Sequence, residues 1–111
     1  MSPPPALRRR DLLLAATQLR TPASESLIYW GTYTAGGPRY GTGESKGIYV
    51  SRFSVKDGRV TAPELAAETV NPSYLAIHPN RRWLYSVNEH IDASGKVKGE
   101  VSAFSINRRT G

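Results

Sequence analysis

From Leu27 onward, β-branched and aromatic residues stand in short alternating runs separated by Gly, Pro, Asn and Asp, and no stretch carries apolar residues at helical spacing. The runs predict six strands, over 27–34, 47–55, 59–70 with Pro63 as a point of interruption, 73–78, 83–89 and 100–107. Two turns set how they join. Lys56-Asp57-Gly58 reads as a tight hairpin whose Gly takes the positive φ, and His78-Pro79-Asn80-Arg81-Arg82 links two alternating strands. Sequential strands with short links make an antiparallel meander.

The pattern repeats. Val50-Ser51-Arg52-Phe53-Ser54-Val55 returns as Val101-Ser102-Ala103-Phe104-Ser105-Ile106, 51 residues later, and Leu27-Ile28-Tyr29-Trp30-Gly31-Thr32-Tyr33 answers to Trp83-Leu84-Tyr85-Ser86-Val87-Asn88-Glu89 at an offset of 56. The five-residue difference falls in a loop while the strands on either side keep their character, as repeat architectures require. A unit of this size and type is one blade of a β-propeller, a four-stranded antiparallel sheet of roughly 40 to 50 residues. The predicted fold class is therefore all-β. On this map 73–78 is an inner strand, 83–89 a second and 100–107 a third, whereas 27–34 is a second, 47–55 a third and 59–70 an outer strand. The first blade lacks its inner strand and the second its outer one. A ring of seven such blades needs about 350 residues, so residues 27–111 are expected to be the N-terminal portion of a propeller, about two blades of it. Its expected partners are the remaining blades, with ring closure supplying the strand that would cover the open edge. The chain by itself is expected to be inactive.

Residues 1–26 read as a separate leader. Arg8-Arg9-Arg10 precedes the short apolar run Leu12-Leu13-Leu14-Ala15-Ala16, and small residues surround Ala23, the order of an export signal. Arg9-Arg10-Asp11-Leu12-Leu13 is similar to a twin-arginine signal, from which Asp11 departs. The expectation is a periplasmic or secreted protein; the alternative is a disordered basic leader on a cytoplasmic one. The apolar run is too short to span a bilayer, which takes about 20 residues, so no membrane anchoring is expected. The formal charge of +6 changes little. Four arginines against two carboxylates in the leader account for two of those charges, and the rest is scattered, with no basic run interleaved with aromatics. Nucleic acid is not an expected partner. Cysteine is absent, which removes disulfides and thiolate metal sites and leaves the compartment open.

Five motifs occur in order: Gly31-Thr32-Tyr33-Thr34, Gly47-Ile48-Tyr49, Asn71-Pro72-Ser73-Tyr74-Leu75-Ala76, Leu84-Tyr85-Ser86-Val87-Asn88-Glu89 and Val101-Ser102-Ala103-Phe104. Together they make residues 27–111 resemble the opening of the seven-bladed β-propeller lactonase family, the propeller-type 6-phosphogluconolactonases. The resemblance implies a hydrolase that opens a sugar lactone, 6-phosphogluconolactone or a related one, and hence a small-molecule lactone as substrate. Because a fold does not confer activity by itself, a non-catalytic propeller that binds a protein or glycan in the periplasm stands beside that reading.

Opening a lactone requires a base that activates water and donors where the oxyanion develops. Propeller ligand sites lie at one mouth of the channel, which the strand map builds from residues 34–46, 70–73 and 89–99. Glu89 and His90 are the catalytic candidates. Glu89 suits a general base or an orienter of an arginine from a later blade, and His90 suits proton exchange near neutral pH. Asn71, Ser73, Tyr33 and Arg39 are the candidate substrate-binding residues, with Lys46 beside them for an anionic substrate. His78 falls in the opposite turn and reads as structural. The Gly-rich stretch from Gly36 to Gly47 is no nucleotide loop, since Ser45-Lys46-Gly47 departs from the Walker order and a strand follows where a helix is needed. No cofactor is expected, no His/Asp/Glu spacing fits a metal set, and no nucleophile elbow is present.

Overall fold

The computed structural model describes residues 24–34 and 43–111. Six strands form there: β1 (Glu25–Gly31), β2 (Gly47–Ser54), β3 (Glu64–Glu68), β4 (Pro72–Ile77), β5 (Trp83–Ile91) and β6 (Val97–Ser105). They build two three-stranded antiparallel sheets, β1-β2-β3 and β4-β5-β6. The all-β class and the meander order agree with the sequence reading, including the one strand by which each sheet falls short of four. The leader lies outside the described residues as far as residue 23, and so does the segment 35–42 with Arg39. Among the described residues no helix is long and apolar enough to cross a membrane.

Three boundaries differ from expectation: the strand expected over 27–34 runs Glu25–Gly31, which leaves Tyr33 and Thr34 beyond its end, and the other two differ for identifiable reasons. The strand expected over 59–70 contracts to β3, preceded only by an isolated bridge between Phe53 and Val60. Pro63 has no N–H to give to a ladder. Conversely, the link expected over 89–99 is mostly strand, because Glu89 pairs with Gly99, His90 with Lys98 and Ile91 with Val97. The true turn is 92–96. Asp92 makes it compact: its carboxylate accepts hydrogen bonds from Ser94 N (2.9 Å), Ser94 Oγ (2.6 Å) and Lys96 N (3.0 Å), and Gly95 takes φ 83°. Those bonds, the Ser94 hydroxyl foremost, hold the Asp92 carboxyl below its ordinary 3.8.

The predicted hairpins close as read. Gly58 adopts φ 75° and its N–H donates to Ser54 O at 2.8 Å, while Asp57 contacts Arg59 Nη2 at 3.0 Å. In the β4–β5 turn His78 N donates to Trp83 O (2.9 Å), and His78 Nδ1 accepts from Asn80 N at 3.1 Å. That is the structural role read for His78.

Strand alternation gives each sheet an inner face turned to the other. Register places Leu27, Tyr29, Gly31, Ile48 and Val50 on the inner face of the first sheet, and Leu75, Leu84, Ser86, Asn88 and Phe104 on that of the second. Gly31 lets the sheets touch, because a Cβ there would overlap the Pro72 carbonyl oxygen. The residues after β6 return to the first sheet: Arg52 Nη2 donates to Arg109 O at 2.6 Å, and Gly111 lies against Val50 and Leu27. The outer face of the second sheet is apolar and open, with Tyr74, Val87 and Val101 in one cross-strand row.

Candidate functional site

At the end of the interface where β1 leaves the first sheet, the chain folds around Asn71. This residue lies between β3 and β4, is 1% exposed and has φ 40°, a left-handed conformation that Asn tolerates better than most residues. Its main chain turns out of the β4–β5 ladder, and its N–H donates to Thr34 Oγ1 at 3.0 Å. Its side chain stays in. Nδ2 donates to Glu89 O at 2.9 Å, and Glu89 N donates back to Asn71 O at 3.1 Å. Asn71 Oδ1 meanwhile accepts from Thr34 N at 2.7 Å. One buried amide thus ties the last described residue before the 35–42 segment to Glu89 of β5. Residues 34, 71 and 89, one from each predicted mouth link, meet here.

The other candidates are disposed around this node unequally. Glu89 is half-buried and alternates with Val87 onto the outer face of β5. His90, one residue on, falls on the opposite face with Asn88, and its Nε2 lies 3.5 Å from Glu100 Oε1 on β6. Adjacent strand residues point apart, so the two predicted catalytic groups do not converge within this sheet. Both sit in a paired strand, where the sequence placed His90 in a loop. Ser73 is half-buried at a register shift between Pro72 and Tyr74, next to Asn71. Tyr33 is 43% exposed and precedes Thr34. Arg39 lies outside the described residues. Lys46 directly precedes β2, its N–H donating to Tyr49 Oη at 3.2 Å.

A second polar cluster, unforeseen in the sequence reading, backs the node. Asn88 is 2% exposed; its Nδ2 donates to Val70 O (2.6 Å) and Thr69 Oγ1 (2.8 Å), and its Oδ1 accepts from Ser86 Oγ at 2.9 Å. These bonds fix residues 69–70 just ahead of Asn71. The signal was present, since Ser86 and Asn88 occupy the phase of Leu84, and polar residues in a buried phase have to be hydrogen-bonded.

Toward the opposite end of the interface the lining turns apolar. A cleft of about 320 Å³ lies among Tyr29, Ile48, Ala67, Leu84, Phe104 and Gly111. The Tyr29 hydroxyl is buried there with no hydrogen-bond partner among the described residues. Burial pushes its phenol above the ordinary 10.0, an effect that the Arg52 charge partly offsets. Among the described residues no group of three or more His, Asp and Glu side chains is disposed to hold a metal ion.

Comparison with known proteins places these features in context. A family profile described as lactonase, 7-bladed beta-propeller, matches residues 27–111. The 6-phosphogluconolactonase of Bacillus subtilis is 36% identical over 83 residues, which cover 75% of this chain and 20% of that protein. The 6-phosphogluconolactonase of Formosa agariphila is 32% identical over 65 residues, 59% of this chain and 18% of that one. Among solved structures, a candidate 6-phosphogluconolactonase from Bacteroides fragilis superimposes with a TM-score of 0.62 at 37% identity, covering 80% of this chain and 22% of its own. A second, from Bacteroides uniformis, gives 0.61 at 33% identity, with 79% and 22% covered. The chain spans about a fifth of the length of the relatives it matches.

Proposed function

The chain belongs to the seven-bladed β-propeller lactonase family, and from that membership we propose that the whole protein hydrolyses a lactone at the end where Thr34, Asn71 and Glu89 meet. The names of the relatives support a sugar lactone as substrate, 6-phosphogluconolactone or a close analogue. The observation that carries the reading is the placement of Glu89. Its backbone N–H and carbonyl are both held by Asn71, where one residue from each expected mouth link comes together.

In the proposed reaction Glu89 takes a proton from water as the oxygen attacks the lactone carbonyl carbon. The tetrahedral oxyanion collapses, the ring C–O bond breaks, and the alkoxide leaves with a proton to give the hydroxy acid. Tyr33 and Ser73 are assigned as hydroxyl donors to substrate oxygens, and Arg39 and Lys46 as cations for an anionic substrate. His90 is assigned proton exchange from the opposite face of β5, where Glu100 adjoins it. The Arg-Arg leader supports export, so the working compartment is proposed to be the periplasm or the exterior.

The test is direct. Purified whole protein is offered gluconolactone and its 6-phosphate, and acid release is followed against the spontaneous rate. Hydrolysis above background that falls on the order of 10²-fold in Glu89→Gln supports the assignment. A protein that leaves every lactone untouched overturns it in favour of a binding propeller.

A further inference from the structure

We propose that Asn71 is a positioning residue of the site: it holds Glu89 and Thr34 in a fixed relation, and it acts through them rather than on substrate. The inference rests on the lactonase reading. It begins from a conflict in the local backbone. Were Asn71 an ordinary ladder residue opposite Glu89, its own N–H would donate to Glu89 O while Glu89 N donated back. Only the second bond is of that kind. The left-handed φ of 40° swings the Asn71 N–H away to Thr34 Oγ1 (3.0 Å), and the side-chain Nδ2 takes its place on Glu89 O at 2.9 Å. Pro72, next in sequence, has no N–H with which to repair the ladder.

The substitution has a purpose that plain strand pairing cannot serve. An ordinary ladder would fix Glu89 to its own sheet alone. Here the same amide also accepts from Thr34 N at 2.7 Å, so Glu89 of the second sheet is referenced to the exit of the first. With 1% exposure, the Asn71 side chain is closed to solvent and spends its oxygen and a nitrogen on protein groups. Few other side chains meet all three demands, namely tolerance of positive φ, a donor and an acceptor on one short planar group. Asp lacks the donor and Gly lacks both.

The experiment uses the whole protein and separates geometry from stability. Asn71→Asp keeps size, backbone tolerance and the acceptor for Thr34 N, and replaces the donor to Glu89 O by a carboxylate oxygen that repels it. Thr34→Val removes the hydroxyl that accepts from Asn71 N, and Thr34→Ser restores it. Ser51→Ala is the stability control, since buried Ser51 Oγ accepts from Trp30 Nε1 (3.0 Å) and has no place at the node. Misplacing a reacting group predicts a kcat lower on the order of 10- to 100-fold in Asn71→Asp and Thr34→Val, with KM changed less than about threefold. Thr34→Ser should recover kcat, and Ser51→Ala should lower Tm and leave kcat alone. Retained kcat in Asn71→Asp beside an inactive Glu89→Gln overturns the positioning role and leaves the lactonase reading standing. Should the unmodified protein open no lactone, amide hydrogen exchange decides. The Thr34 and Glu89 N–H groups are expected to lose protection together in Asn71→Gly, which keeps the backbone conformation and removes the whole side-chain amide, and loss at one without the other, or at neither, overturns the shared clamp.

Discussion

The interface between the two sheets has an apolar end and a polar end, and they do different work. Among the described residues the buried apolar side chains are Ile48, Val50, Pro72 and Leu84, whereas the buried polar ones are Asn71, Ser86 and Asn88, with Ser51 on the other face of β2. Apolar contact is non-directional and roughly proportional to the area removed from water. It holds the sheets together without specifying ångström-level placement. The hydrogen bonds of Asn71 and Asn88 are directional, contribute about 1 kcal/mol each in net terms, and cost more when one partner is lost. They are a poor source of stability and a good source of geometry. The polar end is where the candidate site lies.

Substitutions of decreasing consequence test this division. Leu84→Ala at the apolar end should cost the whole protein about 2 to 5 kcal/mol by denaturant titration while leaving kcat intact in whatever fraction remains folded. An equal loss of kcat would break the division. Gly31→Ala forces a methyl against the Pro72 carbonyl at the junction of the two ends. It should cost about 1 to 3 kcal/mol and, unlike the leucine change, disturb activity as well, because Pro72 follows Asn71 directly. Asn88→Ala leaves Val70 O and Thr69 Oγ1 without their donor and should cost about 1 to 3 kcal/mol in thermal unfolding.

Tyr29→Phe runs the other way. It removes a buried hydroxyl without a partner among the described residues, so stability at neutral pH should rise by up to about 1 kcal/mol. Because the folded phenol titrates above 10.0, the stability it confers is complete below that pH and is lost as pH rises through the folded value. The phenylalanine variant should therefore lose less of its Tm on the alkaline side. The smallest effect is expected at Asp92, whose lowered carboxyl favours the folded state above 3.8 and ceases to do so as pH falls through the folded value. Asp92→Asn should flatten that acid limb slightly, and a wholly unchanged acid limb would leave the turn's hydrogen bonds without a role in stability.

Much of the fold was legible because its signals are local. Alternation gave β2, β4 and β5 close to their observed limits, and Gly58 announced its hairpin. The 51-residue echo of Val50–Val55 located β6, the counterpart of β2. What was not legible depends on partners far along the chain. The lengthening of β5 and β6 to Ile91 and from Val97 comes from pairing across the Asp92 turn, which polar His90, Lys98 and Glu100 disguise as loop. The node itself needs residues 34, 71 and 89 at once. The sequence identified Asn71 as a residue of the mouth, and only the coordinates show that its side chain faces Thr34 and Glu89.

The return of Arg109 and Gly111 to Arg52, Val50 and Leu27 has a consequence for synthesis. The strands of the first sheet follow one another in sequence and can pair early, but one inner-face neighbour of Val50 is translated about 60 residues later. Between those moments the nascent chain carries an uncovered apolar strip. Closing it is an event of high contact order, so the interval, set by the pace of the ribosome at about 5 to 20 residues per second, lasts several seconds. During that interval this region depends most on whatever holds nascent chains apart.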